Sequence, residues 1–393
     1  MNFNEINLEK FENIYVYGFG LSGKWFSDNS PKNIKNFIDT DEKKKGKYHN
    51  GIEVLSIKKA KEVVKKNDLI VLTPVDIQDI VPVLNREFKE INWIALGSYL
   101  SGSDVDNSKN FSKETIDFVQ YSLNAVEKCH KAYIKKDKLF LRSVDIVISE
   151  KCSLKCKDCS NLMQYYLHPK NFSYEQIKTE FNQLTSNISH IFEVRLIGGE
   201  PFMNKQIYDI INFFLLNKKI SKLVVYTNGT IPLKEEKIKK FNNKDKLVFT
   251  ITDYGKLSKN TFKVKSQLDE NKIVTRLHPP ENWTDSGKIY EFNRSIEEME
   301  ILFEKCCGKN LLTSMNGKLY RCPFAANAES LKAIPRDKNN SVSLNSTPEE
   351  ILFYTREISF IPACNFCKGR SFDSQEIEPA IQTREPIEYK EYT

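Results

Sequence analysis

Three cysteines, Cys152, Cys156 and Cys159, stand in the stretch SEKCSLKCKDCSN, where the apolar run LFLRSVDIVISE comes to an end. The thiolate is the metal-binding form of cysteine, and three of them so close in sequence satisfy three corners of a cubane iron–sulfur cluster. One corner iron is then left without a protein ligand. A structural zinc ion would ask for a fourth ligand, and His168, in YYLHPK, is the nearest histidine. The apolar run reads as a strand, so the cysteines fall at a strand end.

The later cysteines form a second set. Cys307 and Cys322 flank a hairpin expected at MNGK, and Cys364 and Cys367 follow in IPACNFCKGR. Four ligands on a hairpin and a later loop suit either structural zinc or another iron–sulfur cluster, and the ligand types do not choose between them. Cys306 stands beside Cys307, Arg321 and Arg370 lie close to this set, and Cys129 is isolated and reads as a buried thiol.

Stepping along the chain from its start, NIYVYGFG is a strand-like run ending in Gly18 and Gly20, and Gly23 completes G-x-G-x-x-G. IKNFID places Asp39 at the end of a second strand, at the distance where a ribose-binding acid is expected. An alternating rhythm continues through SIKKAKEVVKK, DLIVLTP and NWIALG, which assigns residues 1–105 to a Rossmann-like domain. Its pattern resembles nucleotide-binding modules of enzymes that modify nucleotide-linked sugars. That resemblance implies a nucleotide or nucleotide-sugar site at Gly18, Gly20, Gly23 and Asp39. Residues 106–140 read as a connector, with a polar loop followed by a helical stretch, KETIDFVQYSLNAVEKCHKAYIKK.

C-x-x-x-C-x-x-C after a first strand resembles the signature of the radical S-adenosylmethionine (AdoMet) superfamily, in which the cofactor's amine and carboxylate occupy the open iron. Asp158 stands where that family usually carries an aromatic residue. Three later stretches resemble its cofactor loops in the same order. They supply Gly198, Gly199, Glu200 and Pro201 in EVRLIGGEP, then Thr227, Asn228 and Gly229 in KLVVYTNGT, then Thr252 and Asp253 in KLVFTITDYG. The resemblance implies an α/β chain whose residues 141–300 form a partial (β/α)6 barrel with chemistry at the C-terminal strand ends. It also implies a [4Fe–4S] cluster with AdoMet on Cys152, Cys156 and Cys159. C-x9-G-x4-C from Cys307 through Gly317 to Cys322, followed by C-x-x-C, resembles the short, one-cluster extension (Twitch or SPASM-like) of such enzymes. This implies a small auxiliary domain over 301–393, with a second [4Fe–4S] cluster on Cys307, Cys322, Cys364 and Cys367. A flavodoxin- or ferredoxin-type electron donor is the implied partner.

The activity implied is reductive cleavage of AdoMet to a 5′-deoxyadenosyl radical that takes hydrogen from substrate. The first domain points to a nucleotide-linked or phosphorylated sugar, with oxidation or epimerisation as the outcome. Peptide maturation and an iron–sulfur sensor are the alternatives. Arg195, Tyr254, Arg276 and His278 are candidate substrate contacts, and Trp283 fills a core or stacks on a sugar; spacing singles out no catalytic acid, base or hydrogen donor.

Composition agrees with this class. The 393 residues are 40% hydrophobic and 28% charged, and 59 basic against 52 acidic residues give a net charge of +7. No basic patch carries interleaved aromatics, which points away from nucleic acid. No apolar run reaches the roughly 18 residues that span a bilayer, and the polar start MNFNEINLEKFEN does not read as a signal peptide. A cytoplasmic location, with its cysteines reduced, is therefore expected. The C-terminal EIEPAIQTREPIEYKEYT either wraps back over the auxiliary segment or forms a loose tail.

Overall fold

The computed structural model describes residues 6–101, 113–135, 139–371 and 374–392. It divides into two compact units, Met1–Arg142 and Ser143–Thr393. Much of the polar loop expected before residue 113 lies outside the described residues.

The first unit is built on one sheet. Its elements are β1 (Ile14–Tyr17), α1 (Leu21–Asn29), β2 (Ile34–Ile38), β3 (Tyr48–His49), β4 (Ile52–Leu55), α2 (Ile57–Val63), β5 (Leu69–Leu72), α3 (Ile77–Glu87), β6 (Asn92–Ala95) and α4 (Lys113–Lys135). The strand order is β3-β4-β2-β1-β5-β6, parallel except for the edge pair β3–β4. The chain runs outward from β1 in one direction and then returns to build the other half, so the order reverses between β1 and β5. Leu69, Ile70, Val71 and Leu72 are wholly buried, the continuous apolar run expected of a strand covered on both faces. One face packs Ile14, Val16 and Val71 against Trp25, Phe26, Leu123 and Val126 of α1 and α4. The other packs Tyr15, Ile70 and Leu72 against Ala60, Ile77, Val81 and Leu84 of α2 and α3. Helix α4, within the stretch that reads from sequence as a connector, thus supplies part of this unit's core.

His130 of α4 is fully buried and fastens two loops that follow strands. Its Nδ1 accepts the Gly97 N–H at 3.0 Å, which leaves Nε2 to donate to the Pro74 carbonyl at 2.7 Å.

The second unit begins with β7 (Phe140–Ser149), α5 (Tyr174–Ser186), β8 (His190–Gly198), α6 (Ile207–Leu216), β9 (Ile220–Thr227), α7 (Glu235–Ile238), β10 (Leu247–Thr252), α8 (Thr261–Glu270) and β11 (Val274–His278). There follow β12 (Trp283–Thr284), α9 (Ile296–Lys305), β13 (Thr313–Met315), β14 (Lys318–Tyr320), α10 (Pro323–Ser330), β15 (Ser341–Ser343), α11 (Pro348–Arg356) and β16 (Glu376–Ile377). Eight strands form one sheet in the order β11-β10-β9-β8-β7-β13-β14-β15. Five of them, β7 to β11, come from the β/α repeats, where the sequence suggested six. The antiparallel hairpin β13–β14 and its neighbour β15 extend the sheet beyond β7.

Alternation along the strands separates the two faces of this sheet. Val194, Leu196, Leu223, Val225, Phe249 and Ile251 form a buried apolar face. Asp145, Glu193, Arg195, Tyr226, Thr250 and Arg276 belong to the opposite face, as the register of Tyr226 with Thr250 and of Thr250 with Arg276 requires.

Burial lowers the His130 pKa from 6.5 to about 4, with Pro74 and Asp76 pulling the other way. The unfolded chain therefore binds the proton first, and stability contributed by neutral His130 is full above pH 6.5 and is lost as pH falls toward 4. The loss should reach about 3 kcal/mol. Thermal melts between pH 7.5 and 4 should show this decline in the wild type, and His130→Leu, less stable at neutral pH, should have a shallower slope in that window.

Candidate functional site

The end of β7 sets the first cysteine loop. The Cys159 N–H donates to the Cys156 carbonyl at 3.2 Å and the Leu162 N–H to the Cys159 carbonyl at 2.9 Å, turns that bring the three thiols together. They share an apolar shell with Leu154, Tyr254, Leu257, Trp283 and Ala380. Tyr254 and Trp283 meet edge to face with centroids 5.8 Å apart, so both residues line the cysteines.

Burial pushes the Cys152 thiol up to about 12 and Cys156 to about 11, and raises Cys159; the neighbouring cysteines push in the same direction on Cys152. Buried thiols in such surroundings stay protonated unless metal charge compensates the thiolates. Backbone N–H groups nonetheless point at the sulfurs, from Leu154 to Cys152 and from Met163, Asn161 and Leu162 to Cys159. Asn228 Nδ2 approaches Cys152 Sγ at 3.7 Å. Three soft donors on one side, with N–H groups already directed at them, fit a cubane with one corner open.

Asp158 also finds its partner. It is buried, and Lys288 Nζ lies 3.4 Å from its carboxylate and 3.2 Å from that of Asp285. Lys368 reaches Asp285 at 2.5 Å. The acid at the family's aromatic position is thus neutralised by a lysine that sequence spacing does not indicate.

The glycine loop after β8 presses on the cysteine turn. A Cβ on Gly199 would lie 2.3 Å from the Lys151 carbonyl oxygen and 2.9 Å from Cys152 Cβ, so only glycine permits the approach. The Gly199 and Glu200 N–H groups donate to the Ser149 and Lys151 carbonyls, both at 2.8 Å. Glu200 is fully buried. Its carboxylate accepts the Thr227 hydroxyl at 3.0 Å, the Asn228 N–H at 2.8 Å and the Phe202 N–H at 3.1 Å. Burial raises its pKa to about 7 while these donors pull it back. Glu200 thus laces the loop after β8 to the loop after β9, and Pro201 opens the short turn Pro201–Met203. Asn228 reaches Ser153 Oγ at 3.1 Å, Gly229 donates to Thr227 Oγ1 at 3.2 Å, and Asp253 accepts the Gly255 N–H at 2.9 Å. Thr252 and His278 are paired across β10 and β11.

A buried charge layer crosses the polar face of the sheet. Arg195 Nε lies 2.5 Å from Asp145 and 3.7 Å from Glu193. Burial lowers the Arg195 pKa, but Asp145 and Glu193 more than reverse this; burial raises Glu193 against the pull of Arg195 and Arg276. Thr250 Oγ1 is buried here without a hydrogen-bond partner. Arg195 and Arg276 therefore belong to one layer. Asp145, Glu193 and Tyr226, which sequence reasoning missed, complete it; charged or hydroxylated residues at alternate positions of apolar strands were the available signal.

The second cysteine set also converges. Cys322 precedes α10 and accepts an N–H from Ala325. The Arg294 side chain donates to the Cys364 carbonyl at 2.6 Å and the Cys367 carbonyl at 2.8 Å, and the Gly369 N–H points at Cys367 Sγ at 3.3 Å. Cys306 lies within electrostatic reach of Cys322, Cys364 and Cys367. Cys307 is exposed, its N–H held by the Arg370 carbonyl at 2.8 Å, and its thiol faces Arg370 and Cys306. Cys306, the neighbour of the Cys307 of the sequence reading, thus stands nearer to the other three in its electrostatics. Arg321 donates to the Lys309 and Tyr354 carbonyls and to Asn310, which makes it a brace.

In the first unit, Gly18 has φ +105° and Gly23 leaves no room for a Cβ, which would lie 2.1 Å from the Gly18 carbonyl oxygen. Gly20 stands at the start of α1 with open space around it. Asp39 is buried beneath this turn and accepts the Phe19 N–H at 2.8 Å, the Asp41 N–H at 2.9 Å and Lys44 Nζ at 3.1 Å. Its carboxylate is engaged by its own loop. Among the described residues, no three His, Cys, Asp or Glu side chains meet at a single-ion site; a cubane takes its thiolates at separate corner irons.

Residues 146–254, a little over a quarter of the chain, match the model described as the radical SAM superfamily. A comparison with curated proteins gave no match. Among solved structures the chain is similar to BtrN in complex with AdoMet and 2-DOIA, at 15% identity over 56% of this chain and 84% of that one, with a TM-score of 0.38. It is similar to native anSMEcpe with bound AdoMet, at 14% identity over 56% and 82% of the two chains, with a TM-score of 0.35. It is also similar to Streptococcus suis SuiB bound to precursor peptide SuiA, at 13% identity over 71% and 76%, with a TM-score of 0.32. No helix among the described residues is long and apolar enough to cross a membrane.

The charge layer makes a stability prediction. Asp145→Ala leaves the Arg195 guanidinium buried beside fewer carboxylates and should cost about 3–5 kcal/mol in urea unfolding. Adding Arg195→Met should recover most of that loss.

Proposed function

We propose that the chain binds a [4Fe–4S] cluster at Cys152, Cys156 and Cys159, with AdoMet at the open corner, and performs radical hydrogen abstraction. The convergence of three thiols in one apolar shell beneath the close-packed Gly199 loop carries this reading. When bound, such a cluster supplies the electron that divides AdoMet into methionine and a 5′-deoxyadenosyl radical. The chain's own residues shape the place where this happens. Gly199 lets the loop approach, Asn228 is directed at Cys152, Glu200 holds the two loops together, and Tyr254 and Trp283 exclude water from the cysteines.

Cys306, Cys322, Cys364 and Cys367 would hold an auxiliary cluster. Cys307 would remain outside it. Iron and sulfide analysis of the reconstituted chain tests this assignment: Cys306→Ala should lose about half of the bound iron, while Cys307→Ala should keep it.

Two substrate classes have support from separate observations. A linear peptide is favoured by a groove of about 1260 Å³ in the C-terminal segment, bordered by Ser341, Val342 and Ser343 of β15. That strand ends the eight-stranded sheet, and an extended peptide can pair with such an edge. A phosphorylated or nucleotide-linked sugar, leading to oxidation or epimerisation, has for support the Tyr226 and Thr250 hydroxyls and Arg276 of the polar layer, in which Arg195 is already paired with Asp145 and Glu193. The Rossmann-like first unit would hold the nucleotide. With Asp39 engaged by its own turn, the open glycine turn is left as the phosphate-facing part of that site.

Both classes enter one assay. The reduced, reconstituted chain should form 5′-deoxyadenosine from AdoMet, and Cys156→Ala should abolish this. Stimulation by sugar nucleotides with a mass change in the sugar would support the sugar reading, whereas stimulation by linear peptides alone would support maturation. No 5′-deoxyadenosine from a chain that holds its iron would contradict the radical reading.

A further inference from the structure

The C-terminal segment reaches the first cysteine loop. Cys156 and Gln382 form an antiparallel bridge. The Lys157 N–H donates to the Ile381 carbonyl and the Thr383 N–H to the Lys155 carbonyl, both at 2.7 Å. Farther along, the Ile387 N–H bonds the Gln164 carbonyl at 2.9 Å, and Tyr392 is held by the Lys332 carbonyl at 2.8 Å. Before it, β16 pairs with β12. The segment is therefore a strap fastened on both sides of residue 382.

The side chain of Gln382 has a single orientation that satisfies its partners. Its Oε1 accepts the Lys155 N–H at 2.8 Å, and Nε2 donates to the Ala380 carbonyl at 2.7 Å. An amide carries two N–H groups on that nitrogen. The other lies toward Cys156 Sγ, with Nε2 3.3 Å from the sulfur. Ala380, which anchors this arrangement, is buried against Leu154 and Cys156 and has φ +57°, a backbone conformation unusual for alanine. The tight turn at Ala380 places the amide against the sulfur.

We infer that the C-terminal strap is part of the first cysteine site, and that Gln382 is a positioning residue that fixes Cys156 and sets the reduction potential of the cluster bound there. This rests on the reading of Cys152, Cys156 and Cys159 as cluster ligands. An N–H directed at a ligand sulfur withdraws electron density and stabilises the reduced cluster, so hydrogen bonds to sulfur raise the potential. The strap also covers the cysteine loop on the side where Cys156 lies. Because the tail supplies a donor to the sulfur, electron entry at this site depends on a segment more than 200 residues away in sequence, by the separation of Gln382 and Cys156.

The test is a redox titration of the full-length, reconstituted chain, followed by the electron paramagnetic resonance signal that changes when AdoMet is added. Gln382→Met has similar length and no N–H, and Gln382→Glu keeps the acceptor for Lys155 but replaces the donor with charge. The midpoint potential should fall from wild type to Gln382→Met and further to Gln382→Glu, with iron content retained in Gln382→Met. Unchanged potentials in both variants would overturn the inference and leave the strap a structural role only. Should Gln382→Glu not keep its iron, the comparison of wild type with Gln382→Met decides alone; should both lose iron, Gln382→Asn, which restores the donor on a shorter arm, must recover the cluster or the inference fails. A wild-type chain with no AdoMet-sensitive cluster would instead overturn the reading of the three cysteines.

Discussion

The organising constraint in the second unit is the cost of gathering three thiols in one apolar shell. Without compensation each prefers to stay protonated, since an ionised sulfur loses its water and repels its neighbours. The surrounding structure is arranged around that cost. Backbone N–H groups from 154 and 161–163 point at the sulfurs, Asn228 and Gln382 add side-chain donors, and aromatic rings at 254 and 283 pack against the cysteines. These groups favour negative sulfur, but they carry no full positive charge. A cluster bound at these cysteines, as proposed, would supply the remaining compensation.

The same requirement explains how the loops are held. A cluster ligated on one side needs its open side bounded by rigid backbone, and Gly199 can pack on Lys151 because it has no Cβ. Glu200 then joins the loop after β8 to the end of β9 and the loop beyond it through two donors, the Thr227 hydroxyl and the Asn228 N–H. Lys288 neutralises Asp158 beside Cys159. Each of these interactions locks a turn at a strand end, where the β/α arrangement brings residues distant in sequence side by side.

How much of this was legible in the sequence follows from the range of each interaction. The cysteine spacing, the glycine loop and the alternation of strands and helices are local, and they were readable. Glycine at 23 likewise announced the tight turn after β1. Lys288, Arg294 and Gln382 were not, because each acts on a residue tens to hundreds of positions away. Cys306 and Cys307 show the limit most sharply: they are adjacent, the N–H of one is held by the Phe303 carbonyl and that of the other by the Arg370 carbonyl, and spacing alone does not choose between them. Asp39 stood at the spacing of a ribose ligand, yet its carboxylate is taken by Phe19, Asp41 and Lys44. Helix α4 read as a linker because its amphipathic pattern does not reveal which sheet it covers.

The measurement that bears most directly on the central claim is iron analysis with electron paramagnetic resonance of the anaerobically reconstituted, reduced chain, recorded with and without AdoMet. The account predicts about eight irons per chain, two cubanes, and a change in one signal when AdoMet is added, lost when Cys152, Cys156 and Cys159 are all replaced by alanine. A chain that binds zinc in place of iron at these cysteines, or a cluster signal indifferent to AdoMet, would contradict it.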